Sequence, residues 1–127
     1  MSQSSVYPNK HATVWKRMRI SCAHDIPNHP GKCRGLHGHN YTIEVGVEGV
    51  INRETGMVKD FYEIKEDLKE IIDIPCDHKY LNDVYPDMLT TAENLAWVWL
   101  LFLSLKDPRY KHIRVYETDD SWVEYHD

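Results

Sequence analysis

The chain has 127 residues, of which 42% are hydrophobic and 28% are charged, as expected for one soluble globular domain. A net charge of −5 gives no electrostatic reason to expect nucleic acid binding. The longest apolar run, 95–103, is about half a membrane span, and the N-terminus lacks a signal-peptide core. Three cysteines without an export signal favour free thiols. We therefore expect a cytoplasmic protein that engages neither nucleic acid nor membrane.

The first half of the chain predicts a β-hairpin. Residues 1–10 are polar and contain a proline, so we expect a mobile N-terminal tail, followed by a single domain over 11–127. Apolar residues alternate from Thr13 onward, which predicts a strand that ends near His24. A loop rich in proline and glycine follows. The second strand is more regular, because Tyr41, Ile43, Val45 and Val47 share one face.

The second half predicts two helices and two further strands. Asp60 is a candidate N-cap for a helix whose apolar residues recur at helical spacing up to Ile72. Residues 73–88 read as irregular. Thr91 is a candidate N-cap for a second helix, which is apolar on every side over 95–103 and so needs burial all round or a partner subunit. Alternating residues then predict strands over 112–118 and 122–125, giving the order ββααββ and an α+β domain.

Three histidines carry the main chemical signal. His24 ends the first predicted strand, and His37 and His39 extend the apolar face of the second at its starting end. Residues two apart on a strand point to the same side, so a hairpin would bring all three imidazoles to one end of one face. Three neutral nitrogen ligands with a fourth position left open are typical of a catalytic zinc site. The alternative is that these are unrelated surface or core histidines.

Four other residues are candidates for a chemical role, and each also has a purely structural interpretation. Cys33 lies in the loop between Lys32 and Arg34, where a nearby zinc would favour its thiolate, although a lone cysteine is more often a small buried residue. Asp77 precedes His78 and would orient and charge its ring if the two side chains touch. Glu117 continues an apolar strand face, so it is either a satisfied strand-end carboxylate or an acceptor for a flat heterocycle. Arg17 and Arg19 read as a solvated strand face.

Several segments resemble one enzyme family. Cys33-Arg-Gly-Leu-His37-Gly-His39-Asn-Tyr resembles the cysteine and His-Gly-His signature of 6-pyruvoyltetrahydropterin synthase-like enzymes. The three-residue gap after the cysteine resembles the bacterial 6-carboxytetrahydropterin synthase branch, which serves queuosine and other 7-deazaguanine pathways. The remaining matches follow in the family's order: Thr55-Gly-Met-Val-Lys-Asp60-Phe61, Asp77-His78-Lys-Tyr-Leu-Asn82, Thr91-Ala-Glu93-Asn and Tyr116-Glu117-Thr118. Three apolar or small residues depart from the family's usual choices: Ile20, Cys22 and Cys76.

The resemblance implies a fold and an assembly. It implies a ββααββ tunnelling fold, with an antiparallel sheet and two helices on one face. The sheets of several subunits would join into a barrel, stacked as a homohexamer, with pterin sites between subunits.

The resemblance also implies roles for the candidate residues. It implies Zn²⁺ on His24, His37 and His39, and Cys33 as the general base. His78 would act with Asp77 as a relay, and Glu117 would anchor the pterin ring. The substrate-binding set would be completed by a segment at the start of the second helix: Thr91, Ala92 and Glu93.

The resemblance implies a lyase that converts 7,8-dihydroneopterin triphosphate to 6-carboxy-5,6,7,8-tetrahydropterin with loss of triphosphate and acetaldehyde. Lys32, Arg34 and Lys79 are candidates to meet the triphosphate. Two alternatives stay open at this point. One is 6-pyruvoyltetrahydropterin synthase activity on the same substrate, and the other is a non-catalytic zinc module that uses the three histidines to fix its hairpin.

Overall fold

A computed structural model describes residues 9–27, 29–31 and 35–126. Its four strands are β1 (His11–His24), β2 (His37–Val50), β3 (Tyr110–Thr118) and β4 (Ser121–His126). Its helices are α1 (Phe61–Leu68), α2 (Ile74–Cys76), α3 (Leu81–Val84) and α4 (Ala92–Lys106), with a π-helical segment (Lys69–Asp73) between α1 and α2. The predicted α+β class is confirmed. Residues 1–8 of the predicted tail lie outside the described residues.

The strands form one antiparallel sheet in the order β1-β2-β3-β4. β1 and β2 pair along their whole length, which places His24 opposite His37 and Cys22 opposite His39. Because the pairing starts at the loop between these strands, the histidines lie at the end of the sheet nearest that loop. The alternation of side chains then puts them on the same face as the buried Tyr41 and Ile43.

The helices cover that apolar face of the sheet. α4 packs on β3 and β4, whereas α1, α2 and α3 contact β1. The core between the layers is apolar, with Trp99, Tyr41, Tyr110 and Ile43 among its largest fully buried side chains. Both predicted N-caps form, because Asp60 accepts a hydrogen bond from the Tyr62 amide and Thr91 accepts one from the Asn94 amide.

The segment read as irregular, 73–88, is partly helical. The first helix continues through the π-helical turn into α2, and α3 follows after a short connection. Pro75 is the second residue of α2 and follows the π-helical turn directly, and it lacks the amide hydrogen that an interior helical residue donates. The proline therefore marks a change of helix geometry here and not the end of the helical segment.

The opposite face of the sheet carries a ladder of charges and no helix among the described elements. Glu44 is only 7% exposed and accepts hydrogen bonds from Arg17 (Nε, 2.8 Å) and from the Tyr116 hydroxyl (3.1 Å). Arg114 lies 3.6 Å from Glu44 and donates to Glu124 at 2.7 Å. Burial alone would raise the pKa of Glu44, but the hydrogen bonds from Arg17 and Tyr116 hold it below its usual range. Arg17 is solvent-exposed, as expected for a solvated strand face, but its guanidinium group also pairs with Glu44, because a buried carboxylate needs a paired cation.

α4 is buried on one side only. Leu95, Ala96, Trp99 and Leu103 face the core, whereas an apolar row remains exposed on the outer side: Trp97, Leu101, Phe102 and Leu105. Within one chain the helix therefore lacks the all-round burial that its composition favours. None of the described helices combines the length and apolar character that a bilayer span requires.

Candidate metal centre

Three imidazole rings meet at the loop end of the β1–β2 hairpin. One nitrogen from each of His24, His37 and His39 lies within 4.8 Å of the others. The ring centroids are 4.5 Å apart for His24 and His37, 5.1 Å for His24 and His39, and 4.7 Å for His37 and His39. The structure thus brings together the three residues that strand alternation predicted to converge.

Backbone carbonyl groups determine which nitrogen of two of the rings faces inward. His24 Nδ1 lies 2.8 Å from the carbonyl oxygen of Thr90, and His37 Nδ1 lies 2.7 Å from that of Gly35. A carbonyl oxygen only accepts, so Nδ1 carries the proton in both rings and Nε2 keeps its lone pair. This is the usual arrangement of metal-ligating histidines, whose other ring nitrogen donates to a carbonyl or carboxylate.

Two of the three inward nitrogens have no hydrogen-bond partner among the described residues. Among the described residues, the buried side-chain nitrogen or oxygen atoms that lack a hydrogen bond are Nε2 of His37 and Nε2 of His39. The Tyr41 hydroxyl lies 3.2 Å from Nε2 and 3.3 Å from Nδ1 of His24, so it lies away from the in-plane lone pair of Nε2. Two orphaned acceptors and a third available one fit a cation that binds imidazole nitrogen.

The spacing of the donors also fits such an ion. Three nitrogens bound at about 2.0–2.1 Å to a tetrahedral zinc ion lie roughly 3.3–3.4 Å apart. Donor atoms within 4.8 Å of one another reach that spacing through small side-chain rotations. The cluster contributes three ligands from the described residues, which leaves a fourth tetrahedral position.

Electrostatics favour neutral rings at this cluster. Burial lowers the pKa of His24 and of His39, and the neighbouring His37 lowers both further. The Glu117 carboxylate acts in the opposite direction and raises the pKa of both histidines. Glu117 is half-buried on β3, where the β3–β4 register shifts between Tyr116 and Thr118. Neutral imidazole is the form that binds metal.

Asp77 and His78 are held against the other edge of β1. Asp77 Oδ1 accepts from the Ser21 amide at 2.9 Å, and its Oδ2 lies 2.9 Å from His78 Nδ1. The hydrogen bond from Ser21 is the main reason that the pKa of Asp77 lies below its usual range. His78 has φ +58°, a conformation that is uncommon for a residue other than glycine. The strained backbone turns an 81% exposed imidazole toward solvent while its neighbour keeps contact with the strand.

An open cleft of about 490 Å³ connects the two groups of side chains, since His39 and His78 both line it. Lys79 and Asn40 also border this cleft, which has the size of a small-molecule site. Lys79 is therefore the one member of the expected triphosphate set whose surroundings can be described, because Lys32 and Arg34 lie outside the described residues.

The predicted substrate segment lies beside the cluster. Thr91 is the N-cap of α4, Ala92 is buried and Glu93 is exposed in the first turn. Thr90, which precedes this cap, is the fully buried residue whose carbonyl group contacts His24. The carbonyl group of Thr90 thus connects the start of α4 to the histidine cluster.

The described cysteines are core residues. Burial raises the pKa of Cys22 to about 12, and it also raises the pKa of Cys76. Neither thiol is therefore suited to act as a thiolate at neutral pH. Cys33, the predicted general base, lies outside the described residues.

Sequence reasoning missed part of the site. Thr90 gave no signal of its own, because its contribution is a backbone carbonyl that any residue type could supply. Asn82 was noticed only as part of a matching segment, yet its side chain contacts both Thr90 and the backbone of Asp25. Asn82 lies within α3, a helix that the sequence analysis did not predict, so the matching segment was the one available hint of such a role.

The fold and the site together define an α+β protein with a candidate mononuclear metal centre at one end of its sheet. A family model described as 6-pyruvoyl tetrahydropterin synthase matches residues 13–127. The 6-pyruvoyl tetrahydrobiopterin synthase of Dictyostelium discoideum is 41% identical over 100 residues, which are 75% of this chain and 73% of that protein. The 6-carboxy-5,6,7,8-tetrahydropterin synthase of Synechocystis sp. is 34% identical over 117 residues, or 88% of this chain and 91% of that protein.

Among solved structures, 6-pyruvoyl tetrahydropterin synthase of Caenorhabditis elegans superimposes with a TM-score of 0.85 at 24% identity. The match covers 93% of this chain and 96% of that one and shows a common fold. The chain belongs to the 6-pyruvoyl tetrahydropterin synthase family. The resemblance read from the sequence, and the expectation of an enzyme of this synthase family, are confirmed.

Proposed function

We propose that the chain is a zinc-dependent lyase that converts 7,8-dihydroneopterin triphosphate and water to 6-carboxy-5,6,7,8-tetrahydropterin, acetaldehyde and triphosphate. We further propose that this product feeds 7-deazaguanine (queuosine) biosynthesis. The observation that carries the proposal is the group of three histidines with unpartnered Nε2 atoms beside a cleft that also exposes His78 and Lys79. The Synechocystis relative, named for the carboxy product, supports the reaction assigned.

His24, His37 and His39 would hold the zinc ion. When bound, the ion would act as a Lewis acid that polarises side-chain oxygens of the substrate and acidifies the adjacent C–H. The carbonyl groups of Thr90 and Gly35 keep two rings in the tautomer with Nε2 free, so these ligands are already oriented before binding.

The remaining roles are assigned to groups around the cleft. Glu117 would accept two N–H bonds from the aminopyrimidinone edge of the pterin, a match that needs a carboxylate with both oxygens free to accept. The Cys33 thiolate would remove a side-chain proton, and His78, held by Asp77 at 2.9 Å, would move protons as triphosphate leaves. Lys79 supplies a cation for the triphosphate at the cleft.

The start of α4 completes the substrate contacts. Thr91 is the N-cap of α4 and Ala92 and Glu93 begin its first turn, directly after Thr90, whose carbonyl group contacts His24. The first amides of a helix lack intrahelical acceptors, so together with the Glu93 carboxylate they would offer both donors and acceptors to a heterocycle. This pairing of groups supports a polar, flat ligand at this end of the sheet.

The competing product is 6-pyruvoyltetrahydropterin, the activity suggested by the name of the Dictyostelium relative. The three-residue gap between Cys33 and His37 favours the carboxy branch. The deciding experiment incubates the protein with 7,8-dihydroneopterin triphosphate and identifies the pterin by mass spectrometry. Acetaldehyde and a carboxypterin are expected in equal amounts, whereas a pyruvoyl product without acetaldehyde would reject the assignment.

The alternative to an enzyme is a non-catalytic module in which zinc only stabilises the β1–β2 hairpin. It requires a fourth protein ligand that closes the coordination sphere, and Cys33 would be the natural choice. Zinc content of the Cys33→Ala protein separates the readings, because a base can be removed without loss of metal and a ligand cannot.

We also propose a homohexamer with the sites between subunits. Apart from the bridge between Ala23 and Tyr80, the outer edges of β1 and β4 have no strand beside them among the described residues. Open edges favour pairing with another chain, and the exposed apolar row of α4 would be covered in the same assembly. Light scattering should give the mass of six chains.

A further inference from the structure

A chain of hydrogen bonds runs from His24 to a side chain outside the histidine cluster. It begins with His24 Nδ1, which contacts the Thr90 carbonyl at 2.8 Å in a fully buried setting. The Thr90 hydroxyl then donates to Asn82 Oδ1 at 3.2 Å. Both Thr90 and His24 are at most 1% exposed, so water competes little with these bonds.

The Asn82 amide closes the chain on the residue that follows His24. Its Oδ1 accepts from the Asp25 amide at 3.0 Å, and its Nδ2 donates to the Asp25 carbonyl at 2.9 Å. Asn82 therefore makes one hydrogen bond with Thr90, whose carbonyl group contacts His24, and two with the backbone of Asp25, the residue after His24. Only a side-chain amide offers a donor and an acceptor at this reach, since aspartate lacks the donor and leucine lacks both.

The three hydrogen bonds of Asn82 form a clamp at the end of β1. His24 is the last residue of β1, and the following loop contains Pro27. Tyr80 adds a short hydrogen bond from its hydroxyl to Asp25 Oδ1. The end of the strand is thus fixed by side chains from the segment 80–90, in addition to the backbone bridge between Ala23 and Tyr80.

We propose that Asn82 and Thr90 are positioning residues that fix the ring orientation and tautomer of His24 for metal binding. Asn82 holds the Asp25 backbone and the Thr90 hydroxyl in one geometry, so the Thr90 carbonyl meets His24 Nδ1 and Nε2 is aimed at the other two rings. Because Thr90 adjoins the N-cap of α4, the same clamp keeps the metal ligand and the substrate segment in register. The inference rests on the proposed zinc site.

The test measures zinc affinity of the metal-free, full-length protein by competition with a chromophoric chelator. Loss of the groups that orient metal ligands typically weakens metal binding by about 10–100-fold. We expect Asn82→Ala to raise the zinc Kd within this range. Thr90→Val should raise it as well, whereas Thr90→Ser, which keeps the hydroxyl, should stay close to the parent.

Asn94→Ala is the matched control. Asn94 Nδ2 donates to the Leu89 carbonyl at 2.9 Å, so the variant loses a similar amide-to-backbone bond in the same loop without touching His24. Its zinc Kd should equal that of the parent. The visible spectrum of the cobalt-substituted proteins gives a second readout, and only Asn82→Ala and Thr90→Val should change the bands of the tetrahedral site.

The outcomes separate the positioning role from the proposed function. If the parent binds zinc and Asn82→Ala and Thr90→Val bind it equally well, the positioning role is overturned while the proposed function stands. Parallel losses in Asn82→Ala and Asn94→Ala would also overturn it, because they would reflect general loosening of the loop. If the parent binds no zinc, both proposals fall. Should Asn82→Ala fail to fold, the Thr90→Val and Thr90→Ser pair decides the question.

Discussion

Replacing His39 by leucine should stabilise the metal-free protein while abolishing its stabilisation by zinc. Nε2 of His39 is one of two buried ring nitrogens without a hydrogen-bond partner among the described residues, the other belonging to His37. An unsatisfied buried polar atom costs about 1–3 kcal/mol. Leucine has a similar volume and removes one such atom, so the metal-free variant should gain stability of that order.

The expected shifts are large enough to measure by thermal unfolding. For a domain of this length, 1 kcal/mol corresponds to roughly 3–5 °C in Tm, so the metal-free variant should melt several degrees above the metal-free parent. Free zinc at 100 times its Kd should stabilise the parent by about 2.7 kcal/mol. The variant, with two ligands left, should gain little from zinc.

The assay compares calorimetric Tm values with chelator and with a fixed free zinc concentration. His112→Leu serves as the control, because His112 lies on β3 with its Nε2 already 3.0 Å from Glu48. That variant should keep the full zinc effect and gain no stability. A metal-free His39→Leu protein less stable than the parent would refute the claim that Nε2 is unsatisfied, and equal zinc effects in both would remove the cluster as the metal site.

Three further predictions concern the chemistry. Cys33→Ala should abolish turnover and retain zinc, which product formation and metal analysis will measure. The control Cys22→Ala should cost only packing stability. Loss of zinc in Cys33→Ala would favour the non-catalytic zinc module. Glu117→Gln should weaken binding of a pterin ligand about ten- to a hundredfold, because the amide replaces one acceptor by an N–H donor that faces an N–H group of the pterin. Equal Kd values for the two proteins by titration calorimetry would contradict the anchoring role. Burial lowers the pKa of His24 and His39 in the folded chain, so the unfolded chain takes up protons first as the pH falls below about 6.5. The contribution of these histidines to the stability of the metal-free protein, fully present above that pH, should therefore decrease as the pH falls further, measured by denaturant titration. His24→Gln should show a smaller decrease, and an equal dependence on pH would be the contrary result.

The local elements could be predicted because their signals are local. Alternation of apolar residues indicated the strands of the hairpin, and the side chains of Asp60 and Thr91 indicated where helices begin. The limits of this reasoning appear at 73–88, where two prolines suggested irregular structure and the chain forms α2 and α3. Proline removes only one backbone donor, and the helical segment continues past Pro75 with a π-helical turn before it.

The sequence by itself determined that three histidines share one face of a hairpin, because the period of a strand is two and the spacing of His37 and His39 matches it. It also carried the order of motifs that indicated the family. These features depend on neighbours in the chain, and they hold in any fold that keeps the hairpin.

Only the tertiary structure decided what surrounds those rings. Thr90 and Asn82 are far from His24 in sequence, and folding of the 80–90 segment against the end of β1 brings them into contact. Likewise Arg17, read as part of a solvated strand face, is exposed but pairs with the buried carboxylate of Glu44, which strand register places opposite it. Hydrogen-bond partners and burial are set by long-range packing, which residue spacing along the chain does not encode.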